Sequence, residues 1–197
     1  RKIPVFSADE FRQHVQAVGG TLEDRTGNTD WQDELTRTAI TNDHNLVFQG
    51  GSENFNYRAS LGYLDQEGIV INTGIKRYSG RIGATQKLLD GRVNIDFNLS
   101  TTVESGENAQ QGTLVSQMLE FNPTYPARDA DGNPVNYPDL MNPLIGAELY
   151  NDFRESRRTL VNIAPSLEII EGLVYKMNLG YDNISSDVDN QSMPNTD

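Results

Sequence analysis

Histidines and cysteines, which most often hold metals or move protons, are scarce in this sequence. There is no cysteine, and His14 and His44 are the only two histidines. Neither has another His or Cys at the short spacing that a structural zinc site needs. We therefore predict no disulfide bond and no metal site built on these residues.

The run Asp129-Ala130-Asp131-Gly132-Asn133 has the residue types of a calcium-binding loop but not their order. An EF-hand loop has glycine at its sixth position and a bidentate glutamate at its twelfth. Here glycine is fourth and the twelfth position is Leu140. A β-turn in a solvated loop is the main prediction, with weak calcium binding as the open alternative.

No arrangement of residues predicts catalysis. The chain has no glycine-rich phosphate loop, no nucleophile elbow and no histidine-based triad. Asp30 and Glu34 have the spacing of one helix face, where solvated carboxylates are common. We predict no catalytic residues, no enzymatic activity and no cofactor.

Composition excludes further classes of protein. The net charge of −12 argues against nucleic acid, which is bound through clustered Lys and Arg. Hydrophobic residues make up 36% of the chain, and no run approaches the roughly 18 to 20 continuous apolar residues of a membrane helix. A transmembrane strand is apolar on one face only, so a mean hydropathy of −0.57 does not exclude strands of that kind.

The elements that must position any site begin with helices. Ser7 and Glu10 form a capping box, and Gly19-Gly20 ends the helix that follows. A second helix is predicted over 30–38. Two more are predicted over 112–121 and near 147–154, inside a long loop.

From His44 onward, apolar and polar residues alternate with a period of two, which predicts strands with one apolar and one polar face. About six strands are predicted, most of about 11 to 13 residues, whereas strands of soluble domains usually have about 5 or 6. The predicted strands cover 44–50, 54–64, 76–88, 92–104, 158–170 and 172–184.

Short turns and long loops alternate between these strands. Tight turns are predicted at 50–53, 89–91 and 171–172, and longer loops at 65–75, 105–157 and 185–197. Outer-membrane barrels have short periplasmic turns and long extracellular loops, and about 9–11 tilted residues cross the hydrocarbon layer. The pattern therefore predicts an all-β antiparallel meander from a transmembrane barrel.

In such a barrel the apolar face meets lipid and the polar face lines the lumen. Because six strands cannot close a barrel, we predict that the chain is a fragment and that further strands belong to the same protein. One alternative is a soluble antiparallel β-sandwich that serves as a binding or adhesion module of the cell envelope. The residues predicted to face the lumen are Arg58, Arg81, Asp96, Asn98, Lys176 and Asn178.

Several runs resemble the start of the barrel in SusC/RagA-type TonB-dependent transporters. They are Thr29-Asp30-Trp31-Gln32-Asp33-Glu34, His44-Asn45-Leu46, Gly50-Gly51, Asn56 to Gly68, Arg77-Tyr78-Ser79-Gly80-Arg81, and Phe121-Asn122-Pro123-Thr124-Tyr125-Pro126. The resemblance covers nearly the whole chain, and Tyr57-Arg58-Ala59-Ser60-Leu61-Gly62-Tyr63 is its most specific part.

The resemblance implies a 22-stranded barrel in the bacterial outer membrane, with short helices in its extracellular loops. It implies import of oligosaccharides, peptides or other large nutrients, with a SusD-like surface lipoprotein as lid and with TonB acting through a plug region outside this fragment. Residues 1–43 would form an extracellular loop. Residues 44–197 would hold barrel strands two to seven and the extracellular loop 105–157.

The extracellular segments contain weaker candidates for contact with substrate or lid. Trp31, the only tryptophan, could stack on a sugar ring or pack a short helix against the barrel rim. Tyr125, Asp129, Tyr137 and Asp139 are candidates only because loops carry binding more often than scaffold does.

Overall fold

The computed structural model describes residues 2–108 and 111–192 of the chain. They form one antiparallel sheet with four helices in the segments outside it. No helix in these two ranges is long and apolar enough to cross a membrane. The helices are α1 (Ala8–Ala17), α2 (Trp31–Leu35), α3 (Gln111–Glu120) and α4 (Pro143–Leu149). The strands are β1 (Thr41–Gly51), β2 (Phe55–Glu67), β3 (Gly74–Leu88), β4 (Val93–Asn108), β5 (Tyr150–Ile170), β6 (Leu173–Lys176) and β7 (Leu179–Ser192).

The sheet is a meander, because each strand from β1 to β5 pairs with the next one along the chain. Its order is β1-β2-β3-β4-β5-β6, and β7 also pairs with β5. β3 and β4 stay in one register from Gly74 opposite Glu107 to Leu88 opposite Val93. The predicted all-β antiparallel meander is confirmed, as are the tight turns that join β1 to β2, β3 to β4 and β5 to β6.

The last predicted strand is divided in two, so the sheet has seven strands where about six were predicted. β6 and β7 lie along the same neighbour, β5, and are separated by Met177 and Asn178. Pro165 of β5 stands beside this gap, where its carbonyl accepts from the Met177 amide at 3.0 Å. Proline has no N–H to return a hydrogen bond, so the ladder is interrupted there.

The strands are longer than predicted, and the loops correspondingly shorter. β4 and β5 pair as far as Asn108 opposite Asp152, which narrows the predicted loop 105–157 to 109–149. The helix predicted near 147–154 is wrong, since α4 ends at Leu149 and β5 begins at Tyr150. β7 continues to Ser192, so 185–192 is strand where a loop was predicted. Residues 193–197 lie outside the described part of the chain.

The first helix begins as its capping box predicts. The Ser7 side chain accepts from the Glu10 amide, and the Glu10 side chain accepts from the Ser7 amide. α2 is shorter than the predicted 30–38, because Thr36 is extended and bridges to Val70. The Asp30 carboxylate caps α2 by accepting from the amides of Gln32 and Asp33.

The hydrophobic core lies outside the sheet. We call residues 2–40, 68–73 and 111–149 the loop cap, because they cluster at the end of the sheet opposite the tight turns. The buried core residues of the cap are Trp31, Leu35, Leu114, Met118, Tyr125, Ala127, Tyr137, Leu144 and Ala147. Of the strand residues described, only Ala164 is a buried hydrophobic residue.

Candidate functional site

The register of the sheet fixes which strand residues share a face. Arg58 of β2 lies opposite Gly83 of β3, and Gly83 lies opposite Asn98 of β4. Asn98 in turn faces Asn162 of β5. Directly opposed residues form a row across the strands, and their side chains point to the same side of the sheet. This row and every second row along the strands define one face, which we call the polar face.

Five of the six residues predicted to face the lumen line one open cleft on the polar face. The cleft has a volume of about 950 Å³. Arg81, the sixth, lies two residues from Gly83 along β3 and therefore on the same face, but outside the lining. The sequence-predicted members of the cleft are Arg58, Asp96, Asn98, Lys176 and Asn178.

Some charges on the polar face are neutralised by partners and others are not. Arg77 pairs with Glu104 at 2.6 Å, and Arg158 pairs with Asp182 at 2.7 Å. Asp96 accepts from the Thr85 hydroxyl at 2.8 Å. Among the described residues, Arg58, Arg81 and Lys176 form no ion pair with a carboxylate.

The opposite face, which we call the apolar face, carries exposed aliphatic and aromatic side chains. Leu46 and Leu61 face each other across β1 and β2 and are 54% and 59% exposed. At its end nearest the loop cap, this surface carries a row of three aromatic side chains. His44 stacks on Tyr63 at 6.3 Å between ring centroids, and Tyr63 lies 5.1 Å from Tyr78.

Trp31 belongs to the core of the loop cap. Its side chain is 3% exposed, and its indole nitrogen donates to the Asn122 carbonyl at 3.1 Å. The ring of Phe121 meets it edge-on at 4.8 Å. Of the two roles considered for Trp31, packing is the one that this position satisfies directly. Contact with a substrate or lid stays a prediction.

Tyr125 and Tyr137 are also buried, and they hold a cation between them. The Arg25 guanidinium lies 4.7 Å from the Tyr125 ring centre and 4.9 Å from that of Tyr137. It also donates to the Asp139 carboxylate at 3.2 Å. The predicted candidates Tyr125, Tyr137 and Asp139 are thus brought together around Arg25, which sequence reasoning did not single out.

Asp129 closes a local turn. One of its carboxylate oxygens accepts from the amides of Asp131 and Asn133, each at 2.9 Å. These bonds are those of the predicted β-turn, because an Asp side chain readily caps the backbone two residues on. Within the described ranges no group of three or more His, Cys, Asp or Glu could hold a metal ion.

The two long segments of the loop cap meet through backbone contacts. The Gly27 amide donates to the Thr124 carbonyl at 2.7 Å, and the Thr29 amide donates to the Pro123 carbonyl at 2.9 Å. A Cβ atom at Gly27 would stand 2.5 Å from the Pro126 nitrogen. Only glycine fits this approach.

Helix α1 is attached to the rest of the loop cap by charged side chains. Arg12 donates to both carboxylate oxygens of Asp24, at 2.7 and 3.1 Å, and also to the Gly27 carbonyl. The Arg12 guanidinium, aided by the Thr26 amide, holds the pKa of Asp24 below its ordinary value. The backbone amide of Ser7 likewise lowers the pKa of Glu10.

Comparison with known proteins gives relatives of a single kind. No family model matches the chain. "TonB-dependent receptor SusC" of Bacteroides thetaiotaomicron is 32% identical over 131 residues, which is 64% of this chain and 13% of the relative. "TonB-dependent receptor P3" of Formosa agariphila is 29% identical over 199 residues, 94% of this chain and 20% of the relative.

The solved structures that resemble the chain point to the same kind of protein. The RagAB peptide importer in its closed-closed state superposes with a TM-score of 0.72 at 25% identity, over 88% of this chain and 21% of that one. A second RagAB structure, described as a peptide transporter, gives 0.74 at 26% identity with the same coverage. The chain is a barrel stretch of a SusC/RagA-type TonB-dependent transporter.

As part of a SusC/RagA-type transporter, the sheet belongs to an outer-membrane protein. The stretch spans 13% and 20% of the first two relatives' own length. Sequence reasoning did not select Gln49 and Asn162, which complete the cleft of the transporter stretch beside Arg58 and Asn98. Their positions in the same period-two alternation were the available signal.

Proposed function

We propose that this stretch forms part of the barrel wall of an outer-membrane importer of large nutrients, either oligosaccharides or peptides. The observation that carries the proposal is the two-faced sheet of long strands, superposable on an importer. In the run from Tyr78 to Leu88, the apolar face carries Tyr78, Ile82, Ala84 and Leu88, with Gln86 as its one polar side chain. At about 3.3 Å per residue and a tilt of about 40°, it rises about 25 Å, the height of the apolar band of such barrels.

The proposed orientation follows from the two ends of the sheet. The tight turns would lie in the periplasm, and the loop cap, with the segment 1–43 to which much of it belongs, would lie outside the cell. The strands would then be the second to seventh of the barrel, with the polar face towards the lumen. The soluble sandwich has less support, because the superposed proteins are importers and not sandwiches.

The proposed partners are a surface lipoprotein lid and TonB, the latter acting through a plug region of the whole protein. Asp129 and Asp139 lie at the cap surface, where a lid or substrate could reach them. Trp31, Tyr125 and Tyr137 could make such contacts only if the core of the cap opened, because they are 3%, 3% and 7% exposed.

Two substitutions that each introduce an arginine into the full-length transporter test which face of the sheet meets lipid. Ile82→Arg places a cation in the middle of the apolar face, and we expect it to lower the free energy of unfolding from lipid vesicles by about 2–4 kcal/mol. Thr102→Arg, on the polar face, should leave it nearly unchanged. Equal effects of the two variants would contradict the assignment of the faces.

Uptake tests the importer itself. Cells expressing the full-length transporter should accumulate a fluorescent decapeptide or a fluorescent malto-oligosaccharide only while TonB is present. If neither probe enters in a TonB-dependent way although the protein reaches the cell surface, the proposed import function is wrong.

A further inference from the structure

The apolar face has a groove beside its row of three aromatic side chains, at the end of the sheet nearest the loop cap. The groove has a volume of about 700 Å³ and is lined mainly by aliphatic side chains and aromatic rings. Gly80 of β3 is one of the lining residues, and it lies directly between Leu61 of β2 and Thr101 of β4. Because glycine has no side chain, the surface is hollow at this position.

The strand itself does not require glycine at position 80. The pairing of β3 with β2 and with β4 runs through this residue in an unbroken register, so there is no bulge there. A Cβ atom at Gly80 would meet Thr101 Cγ2 at 3.5 Å and Leu61 Cδ2 at 3.9 Å, which are ordinary van der Waals distances. A glycine inside a strand weakens the strand and often lies where another molecule approaches closely. The room left at Gly80 therefore favours a bound ligand.

The position of the groove favours the acyl chain of a lipid as its occupant. In the proposed wall, the band that meets hydrocarbon extends from the row of Tyr78 to the row of Leu88, and the groove lies just inside the Tyr78 end. Aromatic side chains mark the membrane interfaces of such barrels. Since the loop cap would lie outside the cell, the acyl chain would belong to the outer leaflet. Its headgroup would then lie beyond the row of rings, towards the cap.

The first row beyond the rings carries a cation. Lys76 lies two residues from Tyr78 along β3 and therefore on the same face, where its side chain is exposed. Its direct neighbours are Asp65 of β2 and Ser105 of β4. Asp65 accepts from the Tyr63 hydroxyl at 3.1 Å. None of the ion pairs among the described residues includes Lys76, so its ammonium group can reach a phosphate at this level.

The second row beyond the rings carries carboxylates. Glu67 of β2 and Glu107 of β4 lie on either side of Gly74, which has no side chain to separate them. Asp187 and Asp189 of β7 extend the acidic surface along the same two rows. Such a surface repels a headgroup that is only anionic and attracts an ammonium group. From the groove towards the cap, the face thus presents apolar side chains, then a cation, then carboxylates.

This order matches a lipid with a phosphoethanolamine headgroup, in which a phosphate follows the acyl chains and an ammonium group follows the phosphate. We propose that the apolar face binds one such lipid of the outer leaflet, with an acyl chain in the groove at Gly80. Lys76 binds the phosphate, and Glu67 and Glu107 accept from the ammonium group. The proposal rests on the proposed place of the sheet in the barrel wall, and it gives that wall a specific lipid partner.

Photolabelling in vesicles tests the site. The full-length transporter is reconstituted into dioleoylphosphatidylcholine vesicles that contain a trace of one photoreactive lipid. This lipid is either a phosphatidylethanolamine or a phosphatidylglycerol, each with the same diazirine-bearing acyl chain. After illumination, mass spectrometry compares labelling of the peptides from β2 to β4 with labelling of the rest of the barrel. Phosphatidylethanolamine should label these peptides about 3- to 10-fold more than phosphatidylglycerol, because only its headgroup has an ammonium group.

Three variants separate the groove from the headgroup contacts. Gly80→Leu fills the groove with a side chain that the strand can accommodate, and should lower labelling by phosphatidylethanolamine to the level of the rest of the barrel. Lys76→Gln should lower that labelling by about 2- to 5-fold, since an exposed ion pair contributes modestly. The double variant Glu67→Gln, Glu107→Gln should be labelled alike by the two lipids, because the contacts to the ammonium group are lost.

Gly106→Leu is the matched control, because it makes the same substitution at a strand glycine of the polar face. A Cβ atom at Gly106 would meet its nearest atoms at 3.7 and 3.9 Å, so this position also has room for a side chain. Labelling of Gly106→Leu should equal that of the wild type. Equal labelling of the wild type by the two lipids, or unchanged labelling of Gly80→Leu, would overturn the inference.

The oligomeric state of Gly80→Leu distinguishes a lipid from a protein in the groove. If the variant loses an association between transporters while its lipid labelling stays unchanged, the groove takes a second copy of the protein, and the inference is wrong. Failure of the proposed wall would appear separately, as equal effects of Ile82→Arg and Thr102→Arg on unfolding from vesicles.

Discussion

The sheet and the loop cap differ in where their apolar side chains go. In the sheet, Leu61 is 59% exposed, whereas in the cap Trp31 and Leu35 are 3% and 0% exposed. The sheet therefore has no core of its own, and its apolar face needs lipid to cover it. The cap buries its apolar side chains within itself, as a small soluble domain does.

The two regions are also stabilised by contacts of different range. From β1 to β6 each strand pairs with its neighbour along the chain, and β7 continues along β5 beyond β6, so the sheet is assembled from successive hairpins. The cap joins distant segments: Ile71 donates to the Leu35 carbonyl, and Trp31 donates to Asn122. A defect in the core of the cap should consequently leave the sheet intact.

Trp31→Ala should have the largest effect. Removing a buried indole leaves a cavity and an unpaired Asn122 carbonyl, so we expect the cap to lose about 3–5 kcal/mol of stability. Hydrogen exchange of the full-length transporter in lipid should show faster exchange of amides in α2 and α3 with unchanged strand amides. Val18→Ala, at a side chain that is 67% exposed, is the control. Equal loss of protection in β2 and β3 would show that cap and sheet are one cooperative unit.

Gly27→Ala should have the next largest effect, because the added methyl group would collide with backbone atoms of 124–126. Relieving the clash requires the two cap segments to separate slightly, at about 1–3 kcal/mol. Limited proteolysis should then cut the cap faster near 120–130. Gly112→Ala in α3, where an added Cβ meets nothing within 4 Å, should not. If both variants are cut alike, the close approach at Gly27 does not hold the segments together.

The sheet could be predicted because its two faces meet different surroundings. Alternation from Asn56 to Tyr63 specifies face, register parity and strand type at once. The same alternation explains why five predicted residues came together in the cleft. The alternation weakens at the end of β5 nearest the loop cap, where Asp152 to Arg158 are mostly polar on both faces. For this reason the predicted start of β5 and the predicted end of α4 were wrong. Pro165 was an available signal for the interruption between β6 and β7, but the prediction of one strand over 172–184 did not use it.

The cap could be predicted only in part. The capping box at Ser7 is a local signal and gave the start of α1 correctly. The position of Trp31 depends on a partner 91 residues away, and the contact of Arg25 with Asp139 spans 114 residues. Such contacts are set by how loops pack together, and no period or short motif in the sequence encodes them.

Acidification should have the smallest effect. It distinguishes the charged contacts of α1 from the apolar core of the cap. Asp24 and Glu10 have pKa values below their ordinary ones, because Arg12 and the Ser7 amide stabilise the carboxylates. A carboxylate with a lowered folded-state pKa contributes stability that is fully present above its unfolded value of about 4 and is lost as the pH falls further. Exposed ion pairs contribute little, so only the attachment of α1 should loosen.

Hydrogen exchange of α1, referenced to an unstructured peptide at each pH, should show lower protection at pH 3 than at pH 6, with α2 and α3 unchanged. Asp24→Asn should lower the protection of α1 at pH 6 as well and remove much of its pH dependence. Because Arg12 would still reach the Gly27 carbonyl, part of the attachment should survive. If acid loosens α2 and α3 as readily as α1, then charge rather than apolar burial stabilises the whole cap. The cap would then not differ from the sheet in having an apolar core that stabilises it.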